Sequence, residues 1–139
     1  SERPVTLSPA VLEGLLRDKL HYNGLVLSDD LTMRAISDRY TQADAAVMAI
    51  SAGCDVLLLC DSDQDSHVET LEALIRAVEN NVISRLRLAE ALSRQERIKK
   101  RFLFSLQPSA SFPSLRSLIS RSEHLAVADE MSKFLKNLY

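Results

Sequence analysis

Glycine is scarce in this chain, with three residues in 139, at positions 14, 24 and 53. A phosphate-cradling loop needs several glycines within about six residues, so Walker-type and Rossmann-type nucleotide sites are excluded. Tryptophan is absent and aromatic residues make up 5% of the sequence, too few to build a stacking platform for sugars or bases from this chain alone. Cys54 and Cys60 are its two cysteines. They stand in a stretch that reads as a buried strand, where neighbouring side chains alternate between faces, so neither a disulfide framework nor a zinc site is expected. Two reduced thiols fit a cytoplasmic location. Long apolar runs are also missing: Ala45–Ile50 and Val56–Cys60 span six and five residues, against the ~20 that cross a bilayer. No basic-then-apolar leader opens the chain. It begins Ser-Glu-Arg-Pro directly before a helix cap, as though entered part-way through a larger unit.

Charge of one sign is lacking as well. Seventeen basic residues face nineteen acidic ones, for a net charge of −2, which gives no long-range field to hold a polyanion or an acidic membrane. Neither nucleic acid nor membrane is therefore expected as a partner, and a small or specific ligand is. A length of 139 residues at 46% hydrophobic content is that of one soluble domain.

Ser8-Pro9 predicts a helix start, since serine caps a free N–H and proline at the first helical position loses no bond. Val11, Leu12, Leu15, Leu16 and Leu20 then recur at helical spacing. His21–Gly24 reads as a turn, and Leu25-Val26-Leu27, without polar alternation, as a strand buried on both faces. Thr41 with Asp44 resembles a capping box for an Ala-rich helix that Gly53 ends. Asp55–Cys60 predicts a second doubly buried strand, and Asp61–Asp65 an acidic loop. Ser66 with Glu69 predicts a capping box for a helix whose inner stripe is Leu71, Leu74, Ile75 and Val78. Ser84 caps another, running to about Phe104. Two apolar strands separated by a helix predict a βαβ unit and a parallel sheet, hence an α/β fold. Gln107–Pro113 reads as a linker between residues 1–106 and a helical tail, 114–139, with apolar positions Leu115, Leu118, Ile119, Val127, Met131, Phe134 and Leu138.

In parallel α/β folds the loops after the strands carry the chemistry. Here the first strand runs into Ser28-Asp29-Asp30-Leu31-Thr32-Met33. Adjacent strand residues point to opposite sides, so Asp29 and Asp30 cannot be the facing acid and base of one glycosidase pair. One of the two faces a site while the other caps or braces the turn, unless both are solvated turn residues.

The run Leu7–Leu12, Gly14–Arg17, Leu20, Gly24–Leu31, Met33 and Ala35-Ile36, continued by Ala45-Ala46, Ala49-Ile50, Ala52-Gly53 and Asp55–Leu58, resembles glycoside hydrolase family 3. The likeness is to its bacterial β-N-acetylhexosaminidase branch, which works in cell-wall recycling. It covers roughly the first 60 residues and fades beyond about Asn80. The resemblance implies a partial (β/α)8 barrel, namely its last two parallel strands with covering helices and a helical C-terminal extension. It implies retaining hydrolysis of β-linked N-acetylglucosamine with Asp29 as nucleophile and with Asp30 and Met33 shaping the sugar pocket. It implies an amino-sugar or cell-wall fragment as substrate, and no cofactor or metal. The family's Lys-His pair, its Gly-His-Gly loop with the Asp-x-His acid/base dyad, and its sugar-holding Arg are not found in these 139 residues. An isolated piece of this kind is expected to show little hydrolysis, and to self-associate or to associate with the missing barrel part.

Other constellations carry less. Asp65-Ser66-His67 spells Asp-x-His, but after the wrong strand. Asp61, Asp63 and Asp65 alternate as calcium ligands do, yet Ser66 stands where an EF-hand needs glycine. The arginines and lysines between Arg85 and Arg101 read as a solvated helix face. His21, in the turn, and His124, near the chain's end, carry no catalytic signal. Two readings from other classes compete. One is a receiver-like signalling domain using Asp29, Asp30 and Asp61; the other is a non-catalytic remnant that binds a partner.

Overall fold

The computed structural model describes residues 3–60, 63–103 and 117–136. The chain divides into two compact units, Ser1–Phe104 and Ser105–Tyr139. Residues 107–113, where the linker was expected, lie outside the described residues.

The first unit is mostly helical around two parallel strands. After a 3-10 turn at Val5–Leu7 comes a helix at Ala10–Lys19, then β1 (Leu27–Asp30), α1 (Arg34–Ser37), α2 (Gln42–Ala52), β2 (Val56–Leu58), α3 (Gln64–Glu79) and α4 (Arg85–Leu103). In the second unit α5 spans Ser122–Lys136. On it Val127, Met131 and Phe134 are exposed. The sheet is β1 beside β2, parallel, so the fold is α/β as expected.

The first helix departs from its expected winding. It is a π-helix, closed at its end by the Leu20 N–H on the Leu15 carbonyl at 2.9 Å. The wider i→i+5 winding turns residues of 3.6 spacing off a common face. Leu12 is buried, but Leu15 and Leu20 of the expected stripe are exposed. Ser8 contributes its carbonyl, which accepts from Val11 and Leu12 N–H.

Residues 42–52 form α2 because Thr41 caps them: its hydroxyl accepts from the Asp44 N–H at 3.0 Å and donates to the Asp44 carboxylate at 2.8 Å. Asp is one methylene shorter than the Glu of a full capping box, and its carboxylate takes the hydroxyl instead of the backbone N–H. Ala45, Ala46, Ala49 and Ala52 are buried where α2 meets the sheet and α3. Small side chains let these elements approach closely, and Leu7, Leu12, Val26, Leu31 and Ile36 fill the remaining space. Gly53 ends α2 at φ 122°, a conformation that L side chains rarely adopt.

Three further expectations are overturned. The strands are buried on one face only: Leu57 and Leu59 pack on the core, whereas Leu27 is 51% and Leu58 39% exposed. With two strands, helices cover one side and, among the described residues of the unit, nothing covers the other. The cap of α3 is Asp63, whose carboxylate accepts from Asp65 N–H at 3.2 Å. Ser66 therefore lies inside the first turn, where its carbonyl takes the Thr70 hydroxyl. On α3 the inward residues are Thr70, Leu74, Ala77 and Val78, leaving Leu71 and Ile75 exposed.

The basic face of α4 is not solvated along its length. Arg87 and Arg94 reach inward to Asp55, whose side chain is fully buried just before β2. Arg17 from the first helix binds the same carboxylate at 2.8 Å, with Arg87 at 2.9 Å and Arg94 at 3.0 Å. The Val26 N–H adds a fourth donor at 3.0 Å. A carboxylate has about four lone-pair directions, and here they meet four donors. Arg17 also donates to the Tyr22 and Gly24 carbonyls, closing the turn before β1. This knot ties both ends of the unit's sequence to the N-terminal end of the sheet.

Candidate active site

The opposite end of the sheet carries Asp29 and Asp30. The pairing of β1 with β2 is irregular there: Leu27 stands opposite Val56, but Asp30 stands opposite Leu58, so one extra residue sits on β1. Ser28 fills the gap. It is buried, and its hydroxyl accepts the Leu58 N–H at 2.9 Å in place of a backbone carbonyl. Such a bulge bends the strand and re-aims a side chain. The pairing closes again with the Leu31 N–H on the Leu58 carbonyl at 3.1 Å. Leu31, 1% exposed, then anchors the loop in the core. Burying a leucine contributes about 1.5–3 kcal/mol, enough to fix the position of the two residues before it.

The two carboxylates have different surroundings. Asp29 is exposed, and its Oδ1 accepts the Asp30 N–H at 2.9 Å. Asp30 is held on several sides: Oδ2 accepts the Thr32 hydroxyl at 2.6 Å, and Oδ1 accepts the Thr32 N–H at 3.0 Å and the Cys60 N–H at 3.2 Å. The Thr32 hydroxyl first and its N–H second hold the Asp30 carboxyl below its ordinary 3.8; slight burial opposes this, and the backbone and thiol of Cys60 add to it. Met33 is 47% exposed and precedes α1. Of the two, Asp29 is the exposed one and Asp30 the one that braces the turn.

Of the remaining candidates, Asp65 and His67 sit in the first turn of α3, which follows β2, His21 in the turn before β1 with φ 52°, and His124 on α5 of the second unit. Asp61, needed by both the calcium and the receiver-like readings, lies outside the described residues. Among the described residues no three His, Cys, Asp or Glu side chains gather as metal ligands. Sequence reasoning missed Asp55, Arg17, Arg87 and Arg94. Signals for them were present: an acid flanked by Cys54 and Val56 in a buried stretch demands a cation, and Arg87 and Arg94 share a helix face at seven-residue spacing.

The sequence profile of the glycosyl hydrolase family 3 N-terminal domain matches residues 1–98. The chain belongs to glycosyl hydrolase family 3. Over 135 residues it is 27% identical to the β-hexosaminidase A of Pseudoalteromonas piscicida, covering 94% of this chain and 22% of that protein. Over 82 residues it is 33% identical to a β-hexosaminidase of Methylococcus capsulatus, covering 59% and 23%. A solved family 3 β-N-acetylglucosaminidase from Paenibacillus sp. superimposes with a TM-score of 0.72 at 37% identity, over 78% of this chain and 20% of that one. The β-N-acetylglucosaminidase from Thermotoga maritima does so with a TM-score of 0.61 at 26% identity, over 68% and 21%. This family 3 chain thus spans about a fifth of the length of the relatives it matches.

Proposed function

We propose that this chain forms the last two β/α units of a (β/α)8 barrel in a retaining glycoside hydrolase that removes terminal β-linked N-acetylglucosamine. Asp29 is the nucleophile of this reading. Its carboxylate attacks the anomeric carbon, the bond from that carbon to the leaving oxygen breaks, and water later releases the sugar from the glycosyl-enzyme. The observation that carries the reading is the exposed Asp29 carboxylate, turned out by the bulge at the C-terminal end of β1 beside a held Asp30. Met33, exposed at the start of the next element, borders the sugar pocket. The general acid belongs to strands outside these residues, so the chain by itself hydrolyses ordinary substrates weakly or not at all. Exposed Leu27 and Leu58 support a sheet face that the missing barrel part, or a second copy, covers. The same proposal extends to a role in cell-wall recycling in the cytoplasm.

The test is dinitrophenol release from the 2,4-dinitrophenyl β-glycoside of N-acetylglucosamine, comparing the native chain with Asp29→Asn. That leaving group departs without protonation, so the assay addresses the nucleophile and not the acid. Release that vanishes in the variant supports the assignment. Equal release from both proteins removes Asp29 from the chemistry.

A further inference from the structure

Both strands end within a few residues of the proposed nucleophile, and the tie between those ends is unusual. At the bulge a backbone bond from Leu31 N–H to the Leu58 carbonyl joins β1 to β2, and two side chains of β1, those of Ser28 and Asp30, add to it. Of these, the Asp30 carboxylate is the outermost. It reaches across to the Cys60 N–H, two residues beyond the last paired position of β2, and at the same time closes the loop onto Thr32 through two bonds. Its own N–H donates to Asp29 Oδ1. The backbone of residue 30 is therefore fixed from the side-chain end and in turn holds Asp29.

We propose that Asp30 is a positioning residue: by clasping the end of β1 to Cys60 and Thr32 it sets the rotamer of the Asp29 carboxylate, instead of binding sugar itself. The proposal rests on the reading of Asp29 as nucleophile for its catalytic consequence, while the clasp itself stands on the hydrogen bonds alone. Three of the carboxylate's lone-pair directions are filled from within the protein, leaving at most one for a sugar hydroxyl. Charge-assisted bonds of this kind are shorter and stronger than neutral ones, as the 2.6 Å bond from the Thr32 hydroxyl illustrates.

The experiment uses the full chain and its Asp30→Asn and Thr32→Val variants. Amide hydrogen exchange at fixed pH is read at Cys60 and Thr32, with Ala49 in α2 as a control for the fold, and the Asp29 χ1 rotamer is read from three-bond couplings. In Asp30→Asn the Cys60 and Thr32 amides exchange about tenfold faster and the Asp29 couplings become averaged, while Ala49 is unchanged. Thr32→Val, which keeps both backbone donors and loses one hydroxyl, gives a smaller rise of about threefold at Cys60 and keeps the proposal testable should Asp30→Asn fold poorly. With the dinitrophenyl glycoside, Asp30→Asn lowers kcat about tenfold and leaves KM within about twofold. Unchanged exchange at Cys60 overturns the clasp. A single Asp29 rotamer that persists after Cys60 is released leaves Asp30 a strand brace only, and a raised KM at full kcat makes it a sugar contact; either result overturns the proposal. If the native chain releases no dinitrophenol, the chemistry needs the strands outside these residues, and the exchange and coupling data alone decide the clasp.

Discussion

Replacing Asp55 by Asn tests the knot at the N-terminal end of the sheet. Asparagine is isosteric and can still accept the Val26 N–H through its carbonyl oxygen. It removes the negative charge and turns an NH2 donor toward guanidinium groups that are themselves donors. Arg17 and Arg87 are then left nearly buried with no counter-charge, their side chains 8% and 11% exposed, while Arg94, at 21%, recovers part of its hydration. A hydrogen bond to a charged group contributes about 1.5–3 kcal/mol, so three summed independently would give about 4.5–9 kcal/mol. They share two oxygens and are not additive. The cost of removing one partner from a buried ion pair, about 3–5 kcal/mol, is the better guide, and the partial exposure of Arg94 points to its lower half. Against a domain stability of about 5–15 kcal/mol this is a large fraction. With a urea m-value of about 1.5 kcal/mol/M, the unfolding midpoint falls by ~2 M. Urea titration followed by circular dichroism reads it directly. The exposed Glu72–Arg76 pair, 3.5 Å apart, serves as a comparison, since Arg76→Ala should cost under about 1 kcal/mol. A midpoint shift for Asp55→Asn no larger than that of Arg76→Ala, at equal m, would show that the three arginines are solvated and that the knot does not hold the fold.

Further outcomes are expected. Gly53→Ala forces a side chain onto φ 122° and places its Cβ 2.7 Å from the Glu13 carboxylate and 3.1 Å from Leu12 Cβ; the melting temperature should fall by several degrees, about 4–8 °C per kcal/mol, and an unchanged melt refutes the strain. Burial, and then the neighbouring Asp55 carboxylate, push the Cys54 thiol up to about 11, so at pH 8 a disulfide reagent should modify the exposed Cys60 quickly and Cys54 only after denaturation; two fast thiols in the native chain would contradict this. Because the Asp30 carboxyl is lowered below 3.8 in the folded state, its stabilisation is present above 3.8 and is lost as pH falls through the lower folded value. Acid unfolding of the native chain should therefore steepen below about pH 4 relative to Asp30→Asn, and parallel curves for the two proteins would remove Asp30 as a source. Leu31→Ala, at the anchor behind the site, should cost about 2–5 kcal/mol by chemical denaturation; a loss under about 1 kcal/mol would mean the loop is held by its hydrogen bonds and not by this side chain.

The sequence by itself determined the α/β class of the fold and pointed to the candidate site. The apolar stretches 25–27 and 56–58 with an Ala-rich helix between them can pair only as parallel neighbours, and the cap at Thr41 and the stop at Gly53 bound that helix in the structure as in the sequence. The Ser-Asp-Asp-Leu-x-Met run at a strand end marked the candidate site, because local order and residue type survive folding unchanged. Tertiary structure decided the rest. Which aspartate faces out depends on one extra residue in β1, and a bulge is a relation between two strands that neither strand's sequence contains. That α3 begins after Asp63 and not after Ser66 depends on which of two competent caps the packing selects. Leu27 and Leu58 read as core by composition, yet burial requires a second covering layer, which two strands do not provide. Arg87 and Arg94 read as solvent-facing because charge prefers water, until an unhydrated carboxylate 32 and 39 residues away in sequence made their burial favourable. Patterning records what each segment can do alone, whereas register, cap choice and ion pairing are settled only between segments.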